Sequence, residues 1–192
     1  TAALAANVER IVLTSSMAAV MYGHPPDRTA PFGPDDWTRI DGRKVNAYVE
    51  SKTRAERRAW ELVDAAGRHG ALSVVNPSVI LGPLLDDDPG TSVGLLARLL
   101  AGSVPAAPRL SFGIVDVRDV AAAQVAAMEV ADAGGRRFPM AAGTVSALGL
   151  ARALAAGIPE RAGRLPSFEL PDWAVRLYAL FDADLRGSLG EL

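Results

Sequence analysis

Tyr48 precedes Lys52 by one helical turn in the stretch Tyr48-Val49-Glu50-Ser51-Lys52, and that spacing can do acid–base chemistry. On a helix the two side chains share a face. An ammonium beside a phenol favours the phenolate, which is the direction a general acid/base needs for work near neutral pH. The same spacing also arises when an aromatic ring packs under a solvated lysine stem, so the pair needs support from elsewhere in the chain. Two polar strand ends supply it. The apolar, β-branched run at residues 9–14 ends in Thr14-Ser15-Ser16, and Leu72-Ser73-Val74-Val75-Asn76 ends in Pro77-Ser78. Open α/β sheets bind their ligands at the carboxyl ends of parallel strands.

The elements that must position these groups follow from periodicity. A helix over about residues 44–66 carries the pair, with Val45, Tyr48, Val49, Ala55, Ala59, Leu62 and Val63 as its apolar stripe. Glu50/Arg54 and Arg57/Glu61 read as solvated i,i+4 pairs on its other face. Residues 22–41 form a long loop rich in Pro, Gly and Asp, a candidate substrate lid or a plain insertion, with Trp37 as its packing anchor. Further on come short strands at 111–115 and 137–141, and helices opened by Ser92, Asp116 and Ser146. A last helix spans about 172–181. Strands alternating with helices predict an α/β fold with a mainly parallel sheet. Two strong strands alone would leave sheet edges and apolar faces uncovered, so part of the sheet is expected outside this stretch.

Composition narrows the function. Hydrophobic residues make up 49% of the 192 and charged ones 22%, as in ordinary globular proteins. A net charge of -2 without a basic stripe argues against nucleic acid. The chain has no cysteine and only two histidines, each read as a surface residue, so no zinc site is expected. Asp86-Asp87-Asp88 reads as a solvated turn rather than a metal site. No apolar run approaches the roughly 18 residues of a membrane span, and no secretion signal is visible. A cytoplasmic setting is the default. The chain opens on Thr1, which suggests processing or a piece of a longer protein.

The ordered motifs resemble the extended short-chain dehydrogenase/reductase family over essentially the whole chain. The segment Thr14-Ser15-Ser16-Met17-Ala18-Ala19-Val20-Met21-Tyr22-Gly23 is similar to its active-site serine stretch. The helix from Tyr48 to Trp60 is similar to the catalytic helix of dihydroflavonol-4-reductase-like enzymes and aldehyde reductases. The segments 76–84 and 115–121 fit the same branch. The resemblance implies the later strands of a Rossmann-type doubly wound sheet over residues 1–83. It implies a small α/β substrate-binding subdomain over 84–192, from which about 111–131 return to the core. It implies Ser16, Tyr48 and Lys52 as catalytic, Tyr48 protonating the nascent alkoxide and Lys52 also meeting the nicotinamide ribose. It implies Thr14, Pro77, Ser78 and Val79 as further cofactor contacts, Met21 flanking the substrate, and Asp116 and Asp119 as mainly helix-capping. The cofactor would be NAD or NADP, with NADPH slightly favoured; a small carbonyl compound would be the substrate, and a homodimer is allowed.

One departure is large. The family's Gly-x-x-Gly-x-x-Gly phosphate turn, which sets the pyrophosphate on a helix N-terminus, does not occur in these residues. The expectation is the catalytic part of a carbonyl reductase without its phosphate-binding half, inactive by itself. A nucleotide-sugar epimerase or dehydratase on the same scaffold is the alternative, though the Ser-Pro-Tyr lead-in of that branch is missing from the helix. A non-catalytic fragment or regulator is the third reading.

Overall fold

The computed structural model describes residues 1–41, 45–88, 90–171 and 174. After a single helical turn, α1 (Ala2–Ala5), the chain enters β1 (Ile11–Thr14), the long helix α2 (Ala47–Ala65) and β2 (Leu72–Pro77). Then follow β3 (Val79–Leu81), α3 (Gly90–Ala101), β4 (Ala107–Pro108), β5 (Ser111–Asp116), α4 (Val117–Glu129) and β6 (Arg136–Met140). The described chain ends with β7 (Gly143–Ser146), α5 (Ala147–Gly157) and β8 (Glu169–Leu170). Apart from Pro171 and Ala174, the helix expected at 172–181 lies outside the described residues.

Two compact units emerge, one from Thr1–Ser78 with Val115–Ala141, the other from Val79–Ile114 with the described part of residues 142–171 and Ala174. In the first unit β1, β2 and β6 form an all-parallel sheet with β2 in the middle, every residue of which is buried. Leu13 and Val74 are register partners, and they pack with Trp60 and Val63 of α2. Alternate strand residues face opposite ways, so Thr14 looks to the other side, where Gln124 of α4 donates to its hydroxyl at 2.7 Å. The two helices thus cover opposite faces, the doubly wound arrangement. Full burial of side chains such as Leu72 and Val74 stabilises by about 1.5–3 kcal/mol each.

The strand expected at 137–141 is β6, the third member of this sheet beside the two strong strands. Its Arg137 is buried because a carboxylate neutralises it. The apolar stripe of α2 is rotated from the expected one. Its buried residues are Val49, Thr53, Glu56, Trp60 and Val63, while Tyr48 and Ala55 are exposed. Glu50 and Arg54 pair as expected at 2.8 Å. Glu61, however, takes Arg58 at 2.9 Å, and Arg57 lies over the Trp37 ring instead.

In the second unit β5 lies between β3 and β7, antiparallel to β7, and β4 pairs with β8. Leu99 of α3, Leu150 and Ala151 of α5 and Leu165 form its core. The helix expected to open at Ser92 begins at Gly90, whose N–H is taken by the Asp88 carboxylate at 2.9 Å. Asp116 and Ser146 cap α4 and α5 as expected, accepting from the N–H groups of Arg118 and Gly149.

Candidate active site

Helix α2 brings Tyr48 and Lys52 onto one face. Asn46 caps it, its Oδ1 accepting from Val49 N–H at 2.8 Å, so the turn holding Tyr48 is fixed. Tyr48 is 57% exposed and Lys52 is half-buried. The Lys52 ammonium stands 5.8 Å from the centre of the Tyr48 ring. A cation at that range lies within cation–π reach of the ring. The phenol is free to meet a solute from outside.

Ser15 and Ser16 part company at the end of β1. Continuing the strand alternation, Ser15 points to the α2 side and is buried, its hydroxyl donating to Glu56 Oε2 at 2.5 Å. Ser16 is half-buried and opens the one-turn helix Met17–Ala19, its Oγ accepting from Ala18 N–H at 3.1 Å. That leaves the Ser16 O–H as a donor. Met21, half-buried, continues the turn, its N–H bonded to Met17 O.

At the end of β2, Pro77 is buried and Ser78 half-buried, the Ser78 N–H reaching Met140 O on β6 at 3.0 Å. The Ser78 hydroxyl and Asn76 Oδ1 are buried without a hydrogen-bond partner. Buried polar atoms are nearly always satisfied, so two orphans at the carboxyl end of a parallel strand are a place for a polar ligand edge. Val79 opens β3 in the second unit. Thr14, exposed, has its hydroxyl engaged by Gln124. Asp116, with its N-cap bond, also pairs with the Arg118 guanidinium, which holds its carboxyl down at about 2. It is a cap, as expected.

Beneath these residues lies a buried network that single motifs did not reveal. The Glu56 carboxylate accepts from Ser15, from Asn76 Nδ2 at 2.7 Å and from Arg137 Nε at 2.5 Å. Asn76 Nδ2 also donates to the carbonyl of Ser16 at 3.2 Å. Arg137 Nη1 reaches the carbonyls of Pro34 and Asp36 at 2.7 and 2.5 Å, and its guanidinium stacks 3.8 Å from the Trp37 ring centre. A heptad-like spacing 49, 53, 56, 60, 63 with a carboxylate at its middle was the available signal. Loop 22–41 is stitched at its base: Thr38 N–H bonds Ala19 O, Arg39 N–H bonds Tyr22 O, and Arg28 clamps Asp36 with two bonds of 2.9 Å. His24, expected at the surface, is half-buried with Nε2 3.0 Å from Val20 O and its ring edge-on to Phe32. Among the described residues no group of three His, Cys, Asp or Glu could hold a metal, and no helix is long and apolar enough to cross a membrane.

This arrangement has counterparts. No protein-family model matches the chain. It is 40% identical over 134 residues to cinnamoyl-CoA reductase CAD2 of Medicago truncatula, covering 68% of this chain and 40% of that protein. The crystal structure of Gre2 from Candida albicans superposes with a TM-score of 0.72 at 29% identity, over 84% of this chain and 52% of that one. Yeast methylglyoxal/isovaleraldehyde reductase Gre2 complexed with NADPH gives 0.70 at 28%, over 83% and 51%. The chain spans about half the length of such relatives, 40% to 52%. With the serine strand end, the Tyr48/Lys52 helix and the doubly wound parallel sheet in one unit, the chain belongs to the extended short-chain dehydrogenase/reductase family.

Proposed function

We propose that the protein carrying this chain reduces the carbonyl group of a small molecule with NADPH, Tyr48 acting as the general acid. The observation that carries the reading is the Tyr48 phenol, open to solutes on α2, with the Lys52 ammonium 5.8 Å from its ring. Tyr48 gives its proton to the oxygen of the reacting carbonyl, and the Lys52 charge stabilises the phenolate left behind. Ser16 donates its O–H to the same oxygen, since its lone pair is already engaged by Ala18 N–H. Met21 flanks the substrate.

The residues present fit a nicotinamide cofactor. The unpartnered Ser78 hydroxyl and Asn76 carbonyl suit the donors and acceptors of a carboxamide, with Pro77 and Val79 beside them. Lys52 and Tyr48 suit the ribose hydroxyls, and Thr14 closes the strand edge. When bound, NADPH supplies the hydride. The yeast relative whose structure holds NADPH favours this cofactor over NAD. The glycine-rich phosphate turn is not among these residues, so residues 1–192 expressed alone are expected to give no measurable NADPH oxidation.

The test is turnover of a carbonyl panel by the full-length protein, followed as NADPH consumption. Methylglyoxal, isovaleraldehyde and a cinnamoyl thioester, compounds for which the relatives are named, head the panel. Reduction of at least one is the expected result. Conversion of a nucleotide sugar with no carbonyl reduced would move the chain to the epimerase branch.

A further inference from the structure

We infer that Glu56 is a positioning residue: its buried carboxylate sets Ser16 and the Pro34–Trp37 stretch against α2, and through them the geometry around Tyr48. The catalytic part rests on the reductase reading above; the anchoring part does not.

Strand alternation puts Ser15, Asn76 and Arg137 on the face that α2 covers. Val74 pairs in register with Leu13 and with Arg137, and Ser15 and Asn76 each lie two residues beyond a member of that row. Glu56, with its side chain fully buried, meets all of them. Four segments far apart in sequence therefore converge on one carboxylate. Ser15 comes from the end of β1, Asn76 from β2, Arg137 from β6, and Arg137 carries the contact on to the loop. Glu56, Ser15 and Arg137 touch too little solvent to form a binding surface. What the carboxylate holds is more telling. Asn76 Nδ2 is shared between Glu56 and the backbone carbonyl of Ser16, so the peptide of the expected catalytic serine is tied to α2, the helix of Tyr48 and Lys52, by a single relay. Arg137 binds Ala19 O at 3.4 Å in the turn after that serine, and Pro34 O and Asp36 O in the loop. One charge pair thus fixes the serine segment from both ends. A hydrophobic core could support the fold equally well; it could not orient three donors at once.

Replacing Glu56 by glutamine keeps the shape but gives at least one of those donors an N–H to face. The experiment compares full-length wild type, Glu56→Gln and the charge-free pair Glu56→Gln/Arg137→Met. It reads amide hydrogen exchange by peptide, together with kcat and KM for NADPH and carbonyl. Expected in Glu56→Gln is exchange at least ~10-fold faster at 15–20 and 34–38, with the 60–63 and 72–75 segments unchanged. Expected too is a kcat lowered by about 10-fold or more, with the KM for NADPH within roughly twofold. Should Glu56→Gln not fold, the double variant removes the uncompensated charge, and the same two segments must still exchange faster. Exchange that rises evenly across all segments, or stays at the wild-type rate at 15–20, would overturn the inference. So would a kcat within roughly twofold of wild type in a folded variant. If the wild type reduces no carbonyl, the reductase reading fails, while the exchange arm still decides whether Glu56 anchors the serine segment.

Discussion

Ser15 and Ser16 show how one residue step along a strand separates structure from chemistry. Ser15 is 8% exposed and spends its hydroxyl on Glu56, whereas Ser16 keeps an O–H to give. Ser16→Ala in the full-length protein is therefore expected to lower kcat by about 10- to 100-fold, through loss of a donor to the reacting oxygen. Ser15→Ala is expected to act on stability first, costing about 1–2 kcal/mol for a lost buried hydrogen bond. Steady-state kinetics beside urea unfolding of both variants checks the contrast; a larger kcat loss for Ser15→Ala would reverse the assignment. Ser16, Tyr48 and Lys52 were legible in the sequence because their spacing is local or tied to a strand end. Glu56 was not. Within α2 it looks like any solvated acid, and its partners lie 20, 41 and 81 residues away, beyond the reach of any periodicity.

Among elements, the loop over residues 22–41 repays the closest attention. Its length reads as freedom, yet the chain is turned sharply at its start. Gly23 has φ +73°, and a Cβ there would lie 2.2 Å from the carbonyl oxygen of Arg39. Gly23→Ala is expected to cost about 1–3 kcal/mol, measured as a lowered urea midpoint; an unchanged midpoint would show that the loop base can shift. Asp36 accepts from the Gly33 N–H and from Arg28, which holds its carboxyl below the ordinary range. A depressed folded value means this clamp contributes in full above the ordinary carboxylate pKa of about 3.9 and is lost as pH falls through the lowered one. The stability difference between wild type and Asp36→Asn should therefore be constant near neutrality and shrink below about pH 4. A difference that grows on acidification would contradict this. Arg137→Met strips Glu56 of its counter-charge inside the protein and is expected to destabilise by about 3–5 kcal/mol. The anchors from Arg137 on β6 and from the turn after β1 were not visible in the loop's composition, because they lie outside it.

For the molecule as a whole, the α/β class and the parallel sheet could be read from alternating strands and helices, and they stand in the structure. The strand at 137–141 could be read as well, but not that it buries an arginine, since only the folded chain shows Arg137 neutralised. The apolar face of α2 is displaced from the expected stripe for the matching reason: that stripe takes in Ala55 and leaves out Glu56. Charge pairs that the fold buries are what hydrophobicity patterns misplace. What unites the scales is a phenol and an ammonium presented by α2 over a polar scaffold. Single-turnover hydride transfer by full-length Tyr48→Phe, with NADPH affinity titrated in parallel, tests that most directly. Expected are an affinity within roughly twofold of wild type and a transfer slowed by about 10²- to 10⁴-fold. Transfer at a near-normal rate with NADPH still bound would contradict it.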